Sequence, residues 1–309
     1  MKNEAVKIIE QINALDFKTV TEKHLLDFIL VLCKNAPIIS LKIEKGTRIF
    51  RSVKGYVPST ISDLSYNPDQ ASSQLNRANW SGKSIFYAAL PDLKNDVEPA
   101  DISALEIMRS LDNGSNISSD TYYIGEWVFD QEAEFIVIGN QNSFKKISQI
   151  IENRLTRLDK FFNSQPDYRL QFTEIDDFIS NQYCQLVSDE EKWRYKFSAT
   201  YAEMLKRSGM KGLVYPSVQA NGHGHNIAIY PEFVDNGTIR LLRAIEAKVY
   251  FRDNKCINEF LRQAIPRESE LVWSNLKNHR LSDSIRLYYE GKAPDNTFIE
   301  SFDYKDLND

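Results

Sequence analysis

The stretch R-A-N-W-S-G-K-S-I-F-Y, Arg77 to Tyr87, constrains this chain most. It sets a permanent cation, an amide and a glycine just ahead of the apolar series S-I-F-Y-A-A-L, Ser84 to Leu90. An apolar series after a glycine predicts a buried strand entered through a turn at Gly82. That strand carries Tyr87 into the body of the fold, and the loop before it keeps Arg77 and Asn79 close by. A guanidinium binds phosphate oxygens through paired hydrogen bonds, and a tyrosine ring stacks on a planar ring. Taken singly, each residue has a plainer reading as a solvated arginine or a core tyrosine. Their combination on one segment points to a ligand that is both anionic and aromatic.

Composition narrows the classes. A chain of 309 residues suits one large domain with additions or two small ones. Its 42% hydrophobic and 12% aromatic content argues against disorder. A net charge of -5 without a basic block argues against a broad nucleic-acid footprint, while leaving room for a small phosphate-bearing ligand held by local arginines. Cys33, Cys184 and Cys256 are widely spaced and odd in number, so neither a disulfide framework nor a zinc pattern is expected. Reduced thiols fit a cytoplasmic protein. The first ten residues lack a signal-peptide core, and the longest apolar run, near Leu25, is interrupted by Asp27. That run reads as a buried helix, and no membrane partner is expected.

Residues 4 to 36 predict two amphipathic helices, one striped by Ile8, Ile9, Ile12 and Leu15, the other by Leu25, Phe28, Ile29 and Leu32. Thr21 is the expected N-cap of the second. The pair reads as a cap on its own core in preference to a docking surface. Beyond it, Ile43 to Val53 predicts a strand and Ser59 to Asn76 a long polar loop. A helix is expected near Ile102 to Leu111, then a strand pair at Tyr122 to Phe129 and Glu134 to Ile138. Helices follow over Phe144 to Phe162 and Lys192 to Ser208, the latter closed by Gly209. Short strands at Leu213 to Ser217 and Asn226 to Tyr230 bracket a Gly/His-rich loop, and Ile239 to Phe251 is a further strand. The last sixty residues read as mixed helix and loop. The expected fold class is α+β, with a helical segment over 1–40, a catalytic domain over 41–240 and a C-terminal extension over 241–309.

Four local matches in order make residues 45 to 235 resemble the RES domain, a bacterial family of NAD-consuming enzymes. They are T-R-I-F-R-S-V with Arg51, the Arg77 to Tyr87 segment, S-A-L-E-I-M with Glu106, and G-L-V-Y-P-S-V-Q with Ser217, followed by G-H-N-I-A-I-Y-P-E with Asn226. The resemblance implies an ADP-ribosyltransferase-like sheet core, NAD+ as substrate, and a toxin paired with an antitoxin that covers the cleft. It implies catalytic roles for Arg77, Tyr87, Glu106 and Ser217, and ligand binding by Arg51, Arg48, Asn79 and Asn226. The gap from Tyr87 to Glu106 is longer than the family pattern, and Glu98 inside it competes for the carboxylate role. So does Glu134, in an E-A-E that resembles the paired glutamates of arginine-specific ADP-ribosyltransferases.

The residue types suit that chemistry. Breaking the nicotinamide-ribose bond builds positive charge on the sugar, which a carboxylate stabilises. Water, phosphate or a protein side chain can then accept the ADP-ribosyl group. A catalytically idle nucleotide- or partner-binding module is the alternative. Two further signals carry little. G-K-S at Gly82 to Ser84 lacks the glycine that a P-loop needs at position 77, and His223 and His225 alone are too few for a metal site.

Overall fold

The computed structural model describes residues 4–34, 36–92, 94, 103, 118–139, 147–220, 222, 224–252 and 255–275. Within them lies a mixed α+β fold of ten strands and six α-helices. Helices α1 (Glu4–Asn13) and α2 (Glu22–Leu32) form where the two stripes predict them. The Thr21 hydroxyl accepts the His24 amide at 3.3 Å, the expected N-cap. Ile12, Leu26 and Ile29 share one core with Phe197, Tyr201 and Leu205 of α5 (Lys196–Arg207). The connection between α1 and α2 is tied down as well, because the Lys196 ammonium donates to the Lys18 and Val20 carbonyls at 3.0 and 2.9 Å. The pair is a cap on its own core.

The strands are β1 (Ser40–Ile43), β2 (Arg48–Lys54), β3 (Phe86–Leu90), β4 (Ser118–Phe129), β5 (Ala133–Val137), β6 (Gly212–Pro216), β7 (His225–Ile229), β8 (Ile239–Arg252), β9 (Lys255–Arg267) and β10 (Glu270–Asn275). They form one sheet in the order β1-β5-β6-β7-β3-β2-β4-β8-β9-β10, antiparallel except for β5 and β6. The stretch expected as one strand over Ile43 to Val53 is two strands around a turn at Gly46, which lets β2 reach a different neighbour. The expected strand pair also separates: β4 joins β2 and β8, whereas β5 joins β1 and β6.

That separation shapes the sheet. Only three residues connect Phe129 to Ala133, a reach of at most about 14 Å. Five strand spacings in a flat sheet would need about 24 Å. The sheet therefore curls until β4 and β5 meet at one corner, where the Phe129 and Phe135 rings pack edge to face at 5.7 Å. The curl wraps a second core containing Phe86, Leu90, Trp127, Val214, Ile227 and Leu241. Alternation assigns the two faces. Phe86, Ala88 and Leu90 point into the curl; Tyr87 and Ala89 point to the face that carries the helices.

Helix α3 (Gln149–Ser164) lies in the region expected to be helical over Phe144 to Phe162, whose residues 144–146 are outside the described ones. It is capped by Ser148, whose hydroxyl accepts the Ile151 amide at 3.0 Å. No expectation covers α4 (Arg169–Tyr183), although Phe172, Ile175, Ile179 and Tyr183 repeat at helical spacing and are buried. Residues 192–195, expected as the first turn of the helix over Lys192 to Ser208, belong instead to a 3-10 stretch (Asp189–Tyr195) before α5. A short α6 (Pro231–Asp235) precedes β8. Strand β8 straddles the expected boundary at 240 and pairs with β4 from Ser118 to Phe129. Residues 255–267 and 270–275 are strands and not the expected helix and loop. Their polar residues interrupt a period-two reading, because the end of a sheet lets charged side chains reach solvent from both faces.

Candidate functional site

The Arg77 segment folds as one hydrogen-bonded unit. Gly82 takes φ +78, a left-handed conformation that side chains disfavour, and its amide donates to the Ser73 carbonyl at 2.9 Å. Inside this turn the Asn79 amide group donates to the carbonyls of Gln74 (2.8 Å), Trp80 (3.1 Å) and Lys83 (2.8 Å). Tyr87, nine residues beyond Ala78, locks the loop to the strand. Its hydroxyl accepts the Ala78 amide at 2.9 Å and donates to Asn79 Oδ1 at 2.8 Å. Burial pushes the phenol well above its ordinary pKa, so it stays a donor at any accessible pH.

Arg77 points inward and is only 6% exposed. One of its nitrogens donates to the Gln185 carbonyl at 2.9 Å and to the Tyr195 hydroxyl at 3.2 Å. The guanidinium also lies over the rings of Tyr195 and Tyr215, at 5.2 and 5.7 Å. Desolvation of a permanent cation is offset here by aromatic faces and a carbonyl, with no carboxylate among these contacts. Tyr195 and Gln185 are contributors that no local motif announces; only tertiary packing brings them to Arg77.

Pairing carries the unit across the sheet. Tyr87 lies opposite Ala228, Ala89 opposite Asn226, and Asn226 opposite Tyr215. Ser217, two residues after Tyr215, shares its face and is fully buried; its amide donates to the Gly224 carbonyl at 2.8 Å. Arg77, Asn79, Tyr87, Ser217 and Asn226 thus gather around β6, β7 and β3 on the helix face.

The remaining candidates distribute differently. Arg51 and Arg48 occupy opposite faces of β2, an odd number of residues apart. Arg51 lies on the inner face against the Phe86 ring, donating to the Ser65 and Tyr87 carbonyls at 3.0 and 2.9 Å. Burial lowers its pKa to about 10. It braces the Tyr87 strand from behind. Arg48 shares the helix face but pairs with Glu126 of β4 at 2.7 Å. Glu134 is exposed at the start of β5, three strands from Tyr87, or about 14 Å. Glu106 and Glu98 lie outside the described residues. Ser103, three residues before Glu106, is helical and buried, and its hydroxyl is 2.7 Å from that of Ser52. Ser52 lies on the helix face of β2, in line with Tyr87.

One buried polar cluster borders this site. Asp92, just past β3, accepts the Ser148 hydroxyl (2.7 Å) and the Gln149 amide (2.8 Å) at the start of α3. The His225 ring sits 3.3 Å from both Asp92 and Ser148. Burial holds His225 down to about 4, prevailing over the attraction of Asp92. The histidine is therefore neutral and the aspartate ionised. The cluster has the residue types of a nucleophile triad, but Ser148 is fully buried and donates to Asp92, so it serves as a clasp between three chain segments.

No protein-family model matches this chain, and no curated protein matches it either. Among the described residues, no helix is long and apolar enough to cross a membrane, and no group of three His, Cys, Asp or Glu residues is placed to hold a metal ion.

Proposed function

We propose that this chain is a RES-type enzyme with an ADP-ribosyltransferase-like fold, which binds NAD+ and breaks its nicotinamide-ribose bond. The observation that carries the reading is the gathering of Arg77, Asn79, Tyr87, Ser217 and Asn226 on one face, from two segments 130 residues apart in the sequence.

In this reading the Tyr87 and Tyr215 rings bound the planar part of the ligand, and the buried Arg77 supplies a fixed positive field for its pyrophosphate. Ser217 and Asn226 orient the ribose or the carboxamide. Glu106 opposes the charge that grows on the sugar as nicotinamide departs. The Ser103–Ser52 contact supports this role, since it ties Ser103, three residues before Glu106, to the Tyr87 face. With water as acceptor, one NAD+ and one water give nicotinamide, ADP-ribose and a proton. A toxin of this kind acts in the cytoplasm and calls for an antitoxin over the cleft.

The burial of Arg77 favours a second reading, a nucleotide-binding module without turnover, because a guanidinium committed to Gln185 and Tyr195 is a poor direct phosphate clamp. Nicotinamide release by the purified chain, with and without phosphate, decides between them. The enzyme reading expects turnover that Glu106→Gln abolishes. Saturable NAD+ binding without release, weakened by Arg77→Ala, moves the function to the binding class; no binding at all refutes both.

A further inference from the structure

We infer that Arg48 and Arg243, aligned by the buried carboxylate of Glu126, form a binding site for a phosphate-class anion on the helix face of the sheet. Arg243 of β8 lies directly opposite Glu126, and Arg48 of β2 lies diagonally across from it. One carboxylate oxygen accepts Arg48 Nη1 at 2.7 Å and the other accepts Arg243 Nε at 2.6 Å. The exposures are opposite in kind: the Glu126 side chain is 2% exposed, those of Arg48 and Arg243 61% and 43%. An ordinary surface ion pair leaves both partners in water, since burying a carboxylate is costly. Here the anion is withdrawn beneath two cations, which holds both guanidiniums in place and leaves a net charge of +1.

Each guanidinium has five N–H donors, and these contacts occupy one on each. A carboxylate ligand has one pair of oxygens to set against one fork, whereas a tetrahedral phosphate has further oxygens and can meet both. Local backbone geometry builds the arrangement. A register shift beside Trp127 sets Arg240 opposite Val128 and Arg243 opposite Glu126, so that two residues three apart share one face. Arg240 is held by Asp130 at 2.9 Å and serves as an internal control.

The site rests on the proposed NAD+ reading only for whose phosphate it takes, that of a nucleotide or free phosphate. Calorimetric titration of the full chain with inorganic phosphate and with AMP, at ionic strength balanced by potassium chloride, tests it. Saturable binding is expected, weakened about tenfold or more in both Arg48→Gln and Arg243→Gln and within twofold of wild type in Arg240→Gln. Tighter binding of AMP identifies a nucleotide phosphoryl group; phosphate binding at least as tightly identifies free phosphate. Either upholds the site. No saturable binding of either ligand, or affinities unchanged in both glutamine variants, overturns it. Arg48→Gln, at the more exposed side chain, keeps the test decisive should Arg243→Gln fail to fold, as a thermal melt would show. Phosphate binding by a chain that releases no nicotinamide would uphold this site while refuting the enzyme reading.

Discussion

Replacing Tyr87 by phenylalanine removes one oxygen and keeps the ring. The hydroxyl accepts the amide of Ala78, a residue 4% exposed, and donates to Asn79 Oδ1. Phenylalanine leaves that amide without its acceptor, at about 2 kcal/mol, and removes the bond to Asn79, worth about 1 kcal/mol. Unfolding entropy runs at about 2.1 cal/mol/K per residue, which for this chain gives about 0.65 kcal/mol/K. A loss of about 3 kcal/mol therefore lowers Tm by about 5 °C. Differential scanning calorimetry measures the shift, and hydrogen exchange at the Ala78 amide locates it, since protection there should fall most. A Tm within 1 °C of wild type with Ala78 still protected would refute the view that the phenol fastens the loop to the strand. The same variant should also weaken NAD+ binding if the loop presents the ligand-holding residues.

Other perturbations test the frame around the site. Arg154 and Asp176, both buried, form a forked ion pair, and Arg154 also donates to the Val137 carbonyl at 2.8 Å. Asp176→Asn should cost about 3 to 5 kcal/mol in urea denaturation, because it strands a buried guanidinium. A β-carbon on Gly212 would meet the Ala228 carbonyl oxygen at 2.0 Å, so Gly212→Ala should yield little soluble protein, and a wild-type melt would contradict the β6–β7 pairing. Burial keeps His225 neutral down to about 4, while an unfolded histidine takes its proton near 6.5. The unfolded chain then binds the extra proton between those values, so stability falls on acidification from pH 6.5 towards 4, by up to about 1.4 kcal/mol per pH unit. His225→Asn should flatten that part of the urea-midpoint profile, and an unchanged slope would place the titration elsewhere.

What the sequence determined by itself is local. Helices α1 and α2 were legible because a 3.6-residue stripe and a threonine cap act within a few turns. The turn at Gly82 and the strand beyond it were legible because backbone geometry there selects residue types one by one. Asn79 and Tyr87 lie eight residues apart, so their hydrogen bond is nearly a local event as well. Strand partners were not legible. A period of two gives a strand its faces but not its neighbour, and the separation of β4 from β5 follows from the curl of the whole sheet. Nor did the sequence settle which arginines face the helices, since that depends on how each strand is set into the sheet. Arg77 shows the division most plainly. Its segment was apparent from spacing, whereas its burial among Gln185, Tyr195 and Tyr215 was decided by residues more than a hundred positions away. Contacts at that range leave no period or cap in the chain, because they exist only after distant elements have packed together.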